Sequence, residues 1–447
     1  MLVDFTVENF LSIRDRQTLS FVRPGNGSAS RLAIDEPLAG GDLSPVAAIF
    51  GPNGSGKTNV IEAMRYTRRL IAQSARRAPN EPLPMAPFLL DDVSSSRPFF
   101  AEFHFVVAER EFRYSLSLRD GQVETECLKE TIQRSSKRAT STLFSRFIKD
   151  NETIIKTSSI LTGNKAAVIG RTRRNCLFLS QAAQDNYQPL IDVYNWLVGE
   201  MATGYGLIEL TGSQQRGEVA TTNLLVHDAG FHDWLTRLLV GADLGIMEVS
   251  VRSQRIGTDA TPVAAVDSIK TDGRLSTESV VIDDRDPIDS DREPVLMHRR
   301  AGGDRAAHPV PWSLESTGTK QLWTLAADIY RALGDGARLL VDEFEGLHPA
   351  IVREIVRLFQ TASTNPYGAQ LIFTSHDTNL LGNWAGQGYM LDRDQIWFTE
   401  KDYFSGATSL YSLSDFKVRK DLDTESAYIR GAFGAVPMLT DLVEMGK

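Results

Sequence analysis

Val46-Ala-Ala-Ile-Phe-Gly-Pro-Asn-Gly-Ser-Gly-Lys-Thr58 decides how this chain is read. Its first half, Val46 to Phe50, is a short apolar run of the kind that forms a buried parallel strand. Its second half fits the pattern G-x-x-x-x-G-K-[ST]. Beyond it, apolar residues recur at Val60, Met64 and Ile71, which suits a helix. A strand entering and a helix leaving separate a phosphate cradle from an ordinary glycine-rich turn. In such a cradle the backbone N–H groups point inward, with the positive end of the helix behind them. The expected phosphate-holding residues are Gly51, Pro52, Asn53, Gly54, Ser55, Gly56, Lys57, Thr58 and Asn59. Lys57 is expected to reach the β- and γ-phosphates, and the Thr58 hydroxyl to hold Mg²⁺.

The bounds on the rest are those of a soluble globular protein. A chain of 447 residues suggests two or three domains. Hydrophobic content of 42% and charged content of 23% are ordinary. No apolar run is long enough to span a bilayer, and Met1 to Glu8 alternates like a strand, with no signal-peptide pattern. Cys127 and Cys176 have no spacing for zinc or a disulfide framework, so the cytoplasm is the expected compartment. A net charge of −9 weighs against a wholly basic nucleic-acid binder while leaving room for a local basic groove.

Read in order, Val3, Phe5 and Val7, then Leu19 and Phe21, give two strands joined by a polar turn. Residues 23–44 are a Gly/Ser/Pro-rich loop. The helix after Thr58 is expected to stop at Arg76-Arg-Ala-Pro79. Phe99 to Val107 and Phe112 to Leu118 alternate as a hairpin, so an antiparallel sheet accompanies the parallel core. From about 121 to 300 the pattern weakens. Arg134 to Lys149 is basic, Leu190 to Leu197 and Trp234 to Leu239 look helical, and Asp283 to Asp291 is acidic without the glycine and terminal Glu of a calcium loop. Strand–helix alternation resumes with a helix after Trp312–Lys320. Ala337 to Val341 is a strand, Ile351 to Phe359 a helix face, and Leu371 to Thr374 a strand. The expected fold class is α/β: a parallel sheet with flanking helices and an antiparallel side sheet, split by a mixed, mostly helical insertion. The expected domains are 1–120 and 301–447 as two lobes of one head, with 121–300 as the insertion.

Three further sites follow from position. An apolar strand ending in Asp342-Glu343 is the expected partner of a phosphate loop. Asp342 would orient Mg²⁺ through a water shared with Thr58, and Glu343 would act as general base beside the attacking water. His376 follows the next strand and is read as a γ-phosphate sensor, the alternative being a satisfied loop histidine. Ser316, Thr317 and Gly318 open a helix, which suits either a plain N-cap or a phosphate held from a second subunit. His348 is read as shaping a loop between subunits or capping the helix at Ala350.

These residues resemble the ABC-type ATPase heads of the SMC, RecF and OLD families. The likeness rests on Asn9-Phe10, Gly51–Thr58, Glu315-Ser-Thr-Gly-Thr319, Asp342-Glu-Phe-Glu-Gly-Leu-His-Pro349 and Thr374-Ser-His-Asp377. More narrowly the chain resembles stand-alone ATP-binding proteins of AbiL/RloA type from bacterial anti-phage loci. Asp394-Gln-Ile-Trp-Phe398, Tyr411-Ser-Leu-Ser-Asp-Phe416 and Gly431-Ala-Phe-Gly-Ala-Val-Pro437 add to that match. The resemblance implies ATP and Mg²⁺ as cofactors and a homodimer that sandwiches two nucleotides. It also implies a separate effector protein, often a nuclease, with no membrane partner. The Ser-Thr-Gly signature departs from the family's double glycine. Asp392 and Asp394 are read as turn residues, so a built-in nuclease of the OLD type is not expected. The expected function is an ATPase that dimerises on ATP and switches an effector in phage defence. A DNA-repair ATPase clamping nucleic acid through Arg134–Arg146 and Arg171–Arg174 is one alternative, and an ATP-dependent assembly scaffold is another.

Overall fold

The computed structural model describes residues 1–23, 33–34, 36, 41–134, 137–199, 207–209, 214–242, 245–253, 292–299, 307–344, 346–384, 388–417 and 422–437. The acidic run Asp283 to Asp291 lies outside the described residues. The chain divides into two compact units, one of residues 1–209, 333–343 and 353–447, the other of residues 210–332 and 344–352.

In the first unit, strands β1 (Leu2–Glu8) and β2 (Gln17–Ser20) precede the phosphate-loop strand β3 (Val46–Phe50) and helix α1 (Lys57–Gln73). Four long strands and a shorter one follow: β4 (Phe99–Val107), β5 (Arg110–Arg119), β6 (Gln122–Arg134), β7 (Lys137–Lys149) and β8 (Glu152–Thr157). Then come α2 (Lys165–Arg171), α3 (Phe178–Gln184), α4 (Ile191–Val198) and β9 (Leu207–Glu209). The second unit holds α5 (Gln214–His227), α6 (Ala229–Gly241), β10 (Ile246–Ser253), β11 (Arg292–Arg299) and β12 (Ala307–Val310). Helix α7 (Thr317–Asp335) begins in the second unit and ends in the first, before β13 (Arg338–Asp342). The chain closes with α8 (Pro349–Gln360), β14 (Gln370–Ser375), β15 (Ile396–Lys401), β16 (Thr408–Ser412) and α9 (Thr424–Ile429).

Two sheets build the first unit. The antiparallel sheet runs β2-β1-β4-β5-β6-β7-β8, and the other runs β16-β15-β3-β14-β13-β9. In the latter every pair is parallel except β15 with β16. Strands β3 and β14 are buried along their whole length, as apolar runs covered on both faces must be. Helix α1 contributes Val60, Ile61, Met64, Leu70 and Ile71 to a core that also contains Ile49, Leu340 and Ile372 from one sheet and Phe5, Phe103 and Phe105 from the other. Trp196 of α4 stacks on Phe105 with ring centroids 3.9 Å apart, closing that core at its far side.

The expected boundary after residue 120 cuts through this sheet and is corrected here. β5 and β6 pair from Glu111↔Thr131 to Arg119↔Gln122, so the antiparallel sheet continues through residue 157. The opening part of the expected insertion is therefore strand, and the compact unit runs on to Glu209. The physical reason is that β6 and β7 bury charged as well as apolar residues, Glu126, Glu130 and Arg146 among them, which blurs the period-two pattern.

Candidate nucleotide site

Parallel pairing sets the site before any side chain is considered. β14 lies between β3 and β13, with Ser375 opposite Phe50 and Thr374 opposite Asp342. The carboxyl ends of the three strands therefore form one row, the place where open α/β sheets bind ligands. Gly51–Thr58, Asp342-Glu343 and Ser375-His376 all leave from that row.

The loop itself is tightly shaped. A Cβ on Gly51 would meet the Thr399 backbone oxygen at 2.5 Å, so nothing larger than glycine fits between the loop and β15. Gly56 caps α1 at φ 103°, a left-handed conformation that only glycine adopts without cost, and its open side faces Thr408 and Ser12. Lys57 is buried, and its Nζ donates to the carbonyls of Gly51 at 3.0 Å and Pro52 at 3.3 Å. Burial pushes its ammonium below the usual lysine range, with Glu343 and then Asp342 opposing. An ammonium held against loop carbonyls in this way suits exchange onto phosphate oxygens.

The expected partners converge. Thr58 Oγ1 donates to Asp342 Oδ1 at 3.1 Å, and Thr374 Oγ1 donates to the same oxygen at 2.8 Å. Glu343 Oε1 stands 3.9 Å from Lys57 Nζ, and its Oε2 stands 3.5 Å from His376 Nδ1. Glu343 has φ 64°, uncommon for a residue with a side chain, and its N–H donates to Thr374 Oγ1 at 3.0 Å. Thr374 thus holds both acids, one by its side chain and one by its backbone. The Thr58 hydroxyl and Asp342 carboxylate are hard oxygen donors, a set that fits Mg²⁺, which takes one or two protein ligands and completes its shell with phosphate and water. The loop, with the buried Lys57 ammonium on it and the start of α1 behind it, fits a phosphate chain.

Ser12, Thr399 and Thr408 are the site residues that reading the sequence missed. Ser55 Oγ hydrogen-bonds Thr399 Oγ1 at 2.7 Å, and the Ser55 carbonyl accepts from Thr408 Oγ1 at 2.8 Å. Thr408 and Ser12 hydroxyls are 2.7 Å apart, and Asn59 Nδ2 donates to Ser12 Oγ at 2.6 Å. Asn9, at φ 54°, donates to the carbonyls of Ser94 and Arg97 and accepts from Phe88 N–H, which fixes the turn bearing Ser12. The signal was present in Asn9-Phe10 and in the C-terminal strands, but spacing alone gives neither a role.

Ser316, Thr317 and Gly318 lie in the second unit. Ser316 Oγ accepts from Thr319 N–H at 3.1 Å, the work of an N-cap at the start of α7. Of the two readings of His348 the structure shows the cap, its Nδ1 accepting from Ala350 N–H at 3.2 Å. Asp392 and Asp394 pair with Arg23 at 2.9 and 3.3 Å, as turn residues. The basic stretches are largely engaged: Arg138 with Glu111, Arg171 with Asp185, and Arg146, Arg173 and Arg174 with backbone carbonyls.

A family model described as "AAA domain, putative AbiEii toxin, Type IV TA system" matches residues 46–195 and 258–382, more than half of the chain. The chain belongs to this AAA-domain family. The matched residues include Gly51–Thr58 and Asp342 to His376. No curated protein matches the chain. Among solved structures, the SMC head domain from Thermotoga maritima is 13% identical, covering 92% of this chain and 98% of its own, with a TM-score of 0.39. An SmcHead bound to the C-winged helix domain of ScpA is 14% identical, covering 96% and 99%, with a TM-score of 0.41. Likeness at that level carries no argument about this AAA domain's activity. Among its described residues no helix is long and apolar enough to cross a membrane.

Proposed function

We propose that this AAA domain is a Mg²⁺-dependent ATP hydrolase that closes as a homodimer on ATP and switches a separate effector in bacterial phage defence. The observation that carries the reading is the convergence of Lys57, Thr58, Asp342, Glu343 and His376 at one end of the parallel sheet. Thr58 and Asp342 would hold Mg²⁺, which would supply positive charge against the phosphates. Glu343 would take a proton from the attacking water, with Lys57 Nζ 3.9 Å and His376 Nδ1 3.5 Å from its carboxylate. Lys57 and the loop N–H groups would stabilise charge on the transferring phosphoryl group. His376 is largely exposed, with 64% of its side chain accessible, as a group waiting for a γ-phosphate would be. Ser316, Thr317 and Gly318 would add a partner subunit's helix end to that phosphate, and the exposure of Ser316 and Thr317 supports this beside the capping role of Ser316.

Association is supported by an apolar surface beside the loop's collar. Leu89, Leu90 and Val93 are exposed on one loop, and Tyr403 and Phe404 on the β15–β16 turn. Leu90 reaches Gly406, so the two loops meet. Exposed apolar groups in such a cluster mark contact sites. A role in phage defence is supported by the family's description, which names a putative AbiEii toxin of a type IV system.

The test is a pair of substitutions. Lys57→Ala should abolish ATP binding. Glu343→Gln should retain it, lower kcat by at least about a hundredfold, and accumulate an ATP-dependent dimer visible by light scattering. A Glu343→Gln enzyme that hydrolyses ATP at the normal rate removes the base assignment.

A further inference from the structure

Glu343 stands in a backbone conformation that its own side chain disfavours. Its φ is 64°, in the left-handed region that few residues with a Cβ enter. β13 ends at Asp342, and its pairing with β14 ends at Asp342↔Thr374, so the sheet ladder does not impose this turn. A costly conformation persists only where neighbouring groups over-determine it, and such residues gather at functional sites.

The neighbouring group is the Thr374 hydroxyl. Thr374 is fully buried at the end of β14. Its Oγ1 accepts from Glu343 N–H at 3.0 Å and donates to Asp342 Oδ1 at 2.8 Å. A backbone N–H can only donate, so the hydroxyl's one proton is left for Asp342. Each bond therefore fixes the direction of the other, and the Glu343 backbone is tied to the Asp342 carboxylate through one buried oxygen.

This tie decides where the Glu343 carboxylate lies. Its Oε2 is 3.5 Å from His376 Nδ1, and its Oε1 is 3.9 Å from Lys57 Nζ. Both distances exceed the usual 2.7–3.2 Å of a hydrogen bond, so these side chains are weak guides to its position. The backbone is the stronger one. In a right-handed or extended conformation the Cα–Cβ bond of Glu343 would point elsewhere, and the carboxylate would leave the end of the sheet where Lys57, Thr58 and His376 meet.

With Glu343 as the general base, on which this rests, we propose that Thr374 is a positioning residue for hydrolysis. Its hydroxyl holds Glu343 in the left-handed conformation and so aims the carboxylate at the water that attacks the γ-phosphate.

The experiment uses the full chain with ATP and Mg²⁺, taking affinity from a labelled ATP analogue and kcat from steady-state rates. Thr374→Val keeps the branched shape and deletes the hydroxyl. Its kcat should fall about a hundredfold, the loss expected when a catalytic group is misplaced by about 1 Å, while ATP affinity stays at the wild-type level. Thr374→Ser, which restores the hydroxyl, should recover most of the rate. Thr374→Ala adds no bulk and carries the same expectations as Thr374→Val should the latter fail to fold. Added to Glu343→Gln, the loss of the hydroxyl should lower kcat no further, because the two residues act as one unit. A wild-type kcat in Thr374→Val overturns the proposal and leaves the base assignment standing. So does a Thr374→Ser enzyme as slow as Thr374→Val, which would mean that bulk matters and the hydroxyl does not. A loss that multiplies with that of Glu343→Gln also overturns it, placing the effect on Asp342. A normal rate in Glu343→Gln removes both the base assignment and this role of Thr374.

Discussion

Thr408 is 353 positions from Ser55, yet its hydroxyl donates to the Ser55 carbonyl and also meets Ser12. The phosphate loop is thus held from three sides: by β15 through Thr399, by β16 through Thr408, and by the N-terminal turn through Ser12. None of these residues has to touch nucleotide to matter. A loop that must present its N–H groups inward loses affinity when its shape is no longer enforced. Thr408→Val keeps the volume and deletes the hydroxyl. At roughly 1 kcal/mol net per lost hydrogen bond, ATP affinity should fall about five- to tenfold. Because Thr374 still fixes Asp342 and Glu343, kcat at saturating ATP should change little. Titration with a labelled ATP analogue and steady-state rates separate the two. An unchanged affinity with a reduced kcat would mean that Thr408 acts on the chemistry and not on the loop. At this scale the sequence was informative about Lys57, Thr58, Asp342, Glu343 and His376, because each sits at a fixed offset from an apolar strand. It was silent about Ser12, Thr399 and Thr408, and gave Thr374 no role beyond its place at a strand end, because a hydroxyl's partner is set by strand pairing between distant segments and leaves no spacing rule.

The elements carry a different kind of constraint, shown by β6 and β7. Read as sequence, Arg134 to Lys149 is basic and poor in apolar periodicity. In the fold Arg146 and Glu126 are fully buried. Arg146 donates to the carbonyls of Cys176, Arg173 and Arg174. Glu126 accepts from Tyr114 OH at 2.9 Å and from the N–H groups of Phe178 and Leu179 at 2.6 and 3.0 Å. The two charges are 3.9 Å apart, so their main partners are the chain segment before α3 and its first N–H groups. Burial alone raises the Glu126 carboxyl and lowers the Arg146 guanidinium, and each is restrained first by the other. Arg146→Ala should cost about 3–5 kcal/mol in urea unfolding, as expected when one member of a buried charge network is removed. Replacing both by Leu and Met, often harmless for an isolated buried pair, should not recover that loss here, because it strands three carbonyls and two N–H groups. A double variant as stable as wild type would contradict this account.

Helix α7 supplies a second case. Burial raises the Asp328 carboxyl from its ordinary value to about 6, with Arg331 opposing. A raised carboxylate pKa means that the folded state binds more protons than the unfolded one between pH about 4 and 6, so stability falls as pH rises through that window. Asp328→Asn should therefore be more stable than wild type at pH 7, by roughly 1–2 kcal/mol after allowing for partial exposure, and should lose that part of the pH dependence. Equal stability of the two at pH 7 would show that the carboxylate is better solvated than its position indicates. The helical period placed α7 correctly, whereas no period reports the burial of an isolated acid on its inner face.

At the scale of the whole molecule the question is what kind of partner the charges allow. The net charge is −9. Among the described residues of the two basic stretches, Arg138, Arg146, Arg171, Arg173 and Arg174 are committed to carboxylates or carbonyls of the same chain. A DNA clamp needs lysines and arginines free to displace counterions, and its affinity then falls steeply with salt. Breaking these contacts to free a guanidinium would cost more than a phosphate contact returns, most clearly for Arg146, which has no surface to offer. Duplex DNA at 150 mM salt, an ionic strength at which the Debye length is about 8 Å, should therefore leave the ATPase rate of the full chain unchanged. A protein effector has no such requirement, and the apolar loops beside the phosphate site are exposed. The decisive comparison is ATPase rate with and without a 30-base-pair duplex across a salt series. Stimulation at low salt that decays with a steep logarithmic slope would show that other cations of the chain form a nucleic-acid track, and the clamp reading would then replace the effector reading.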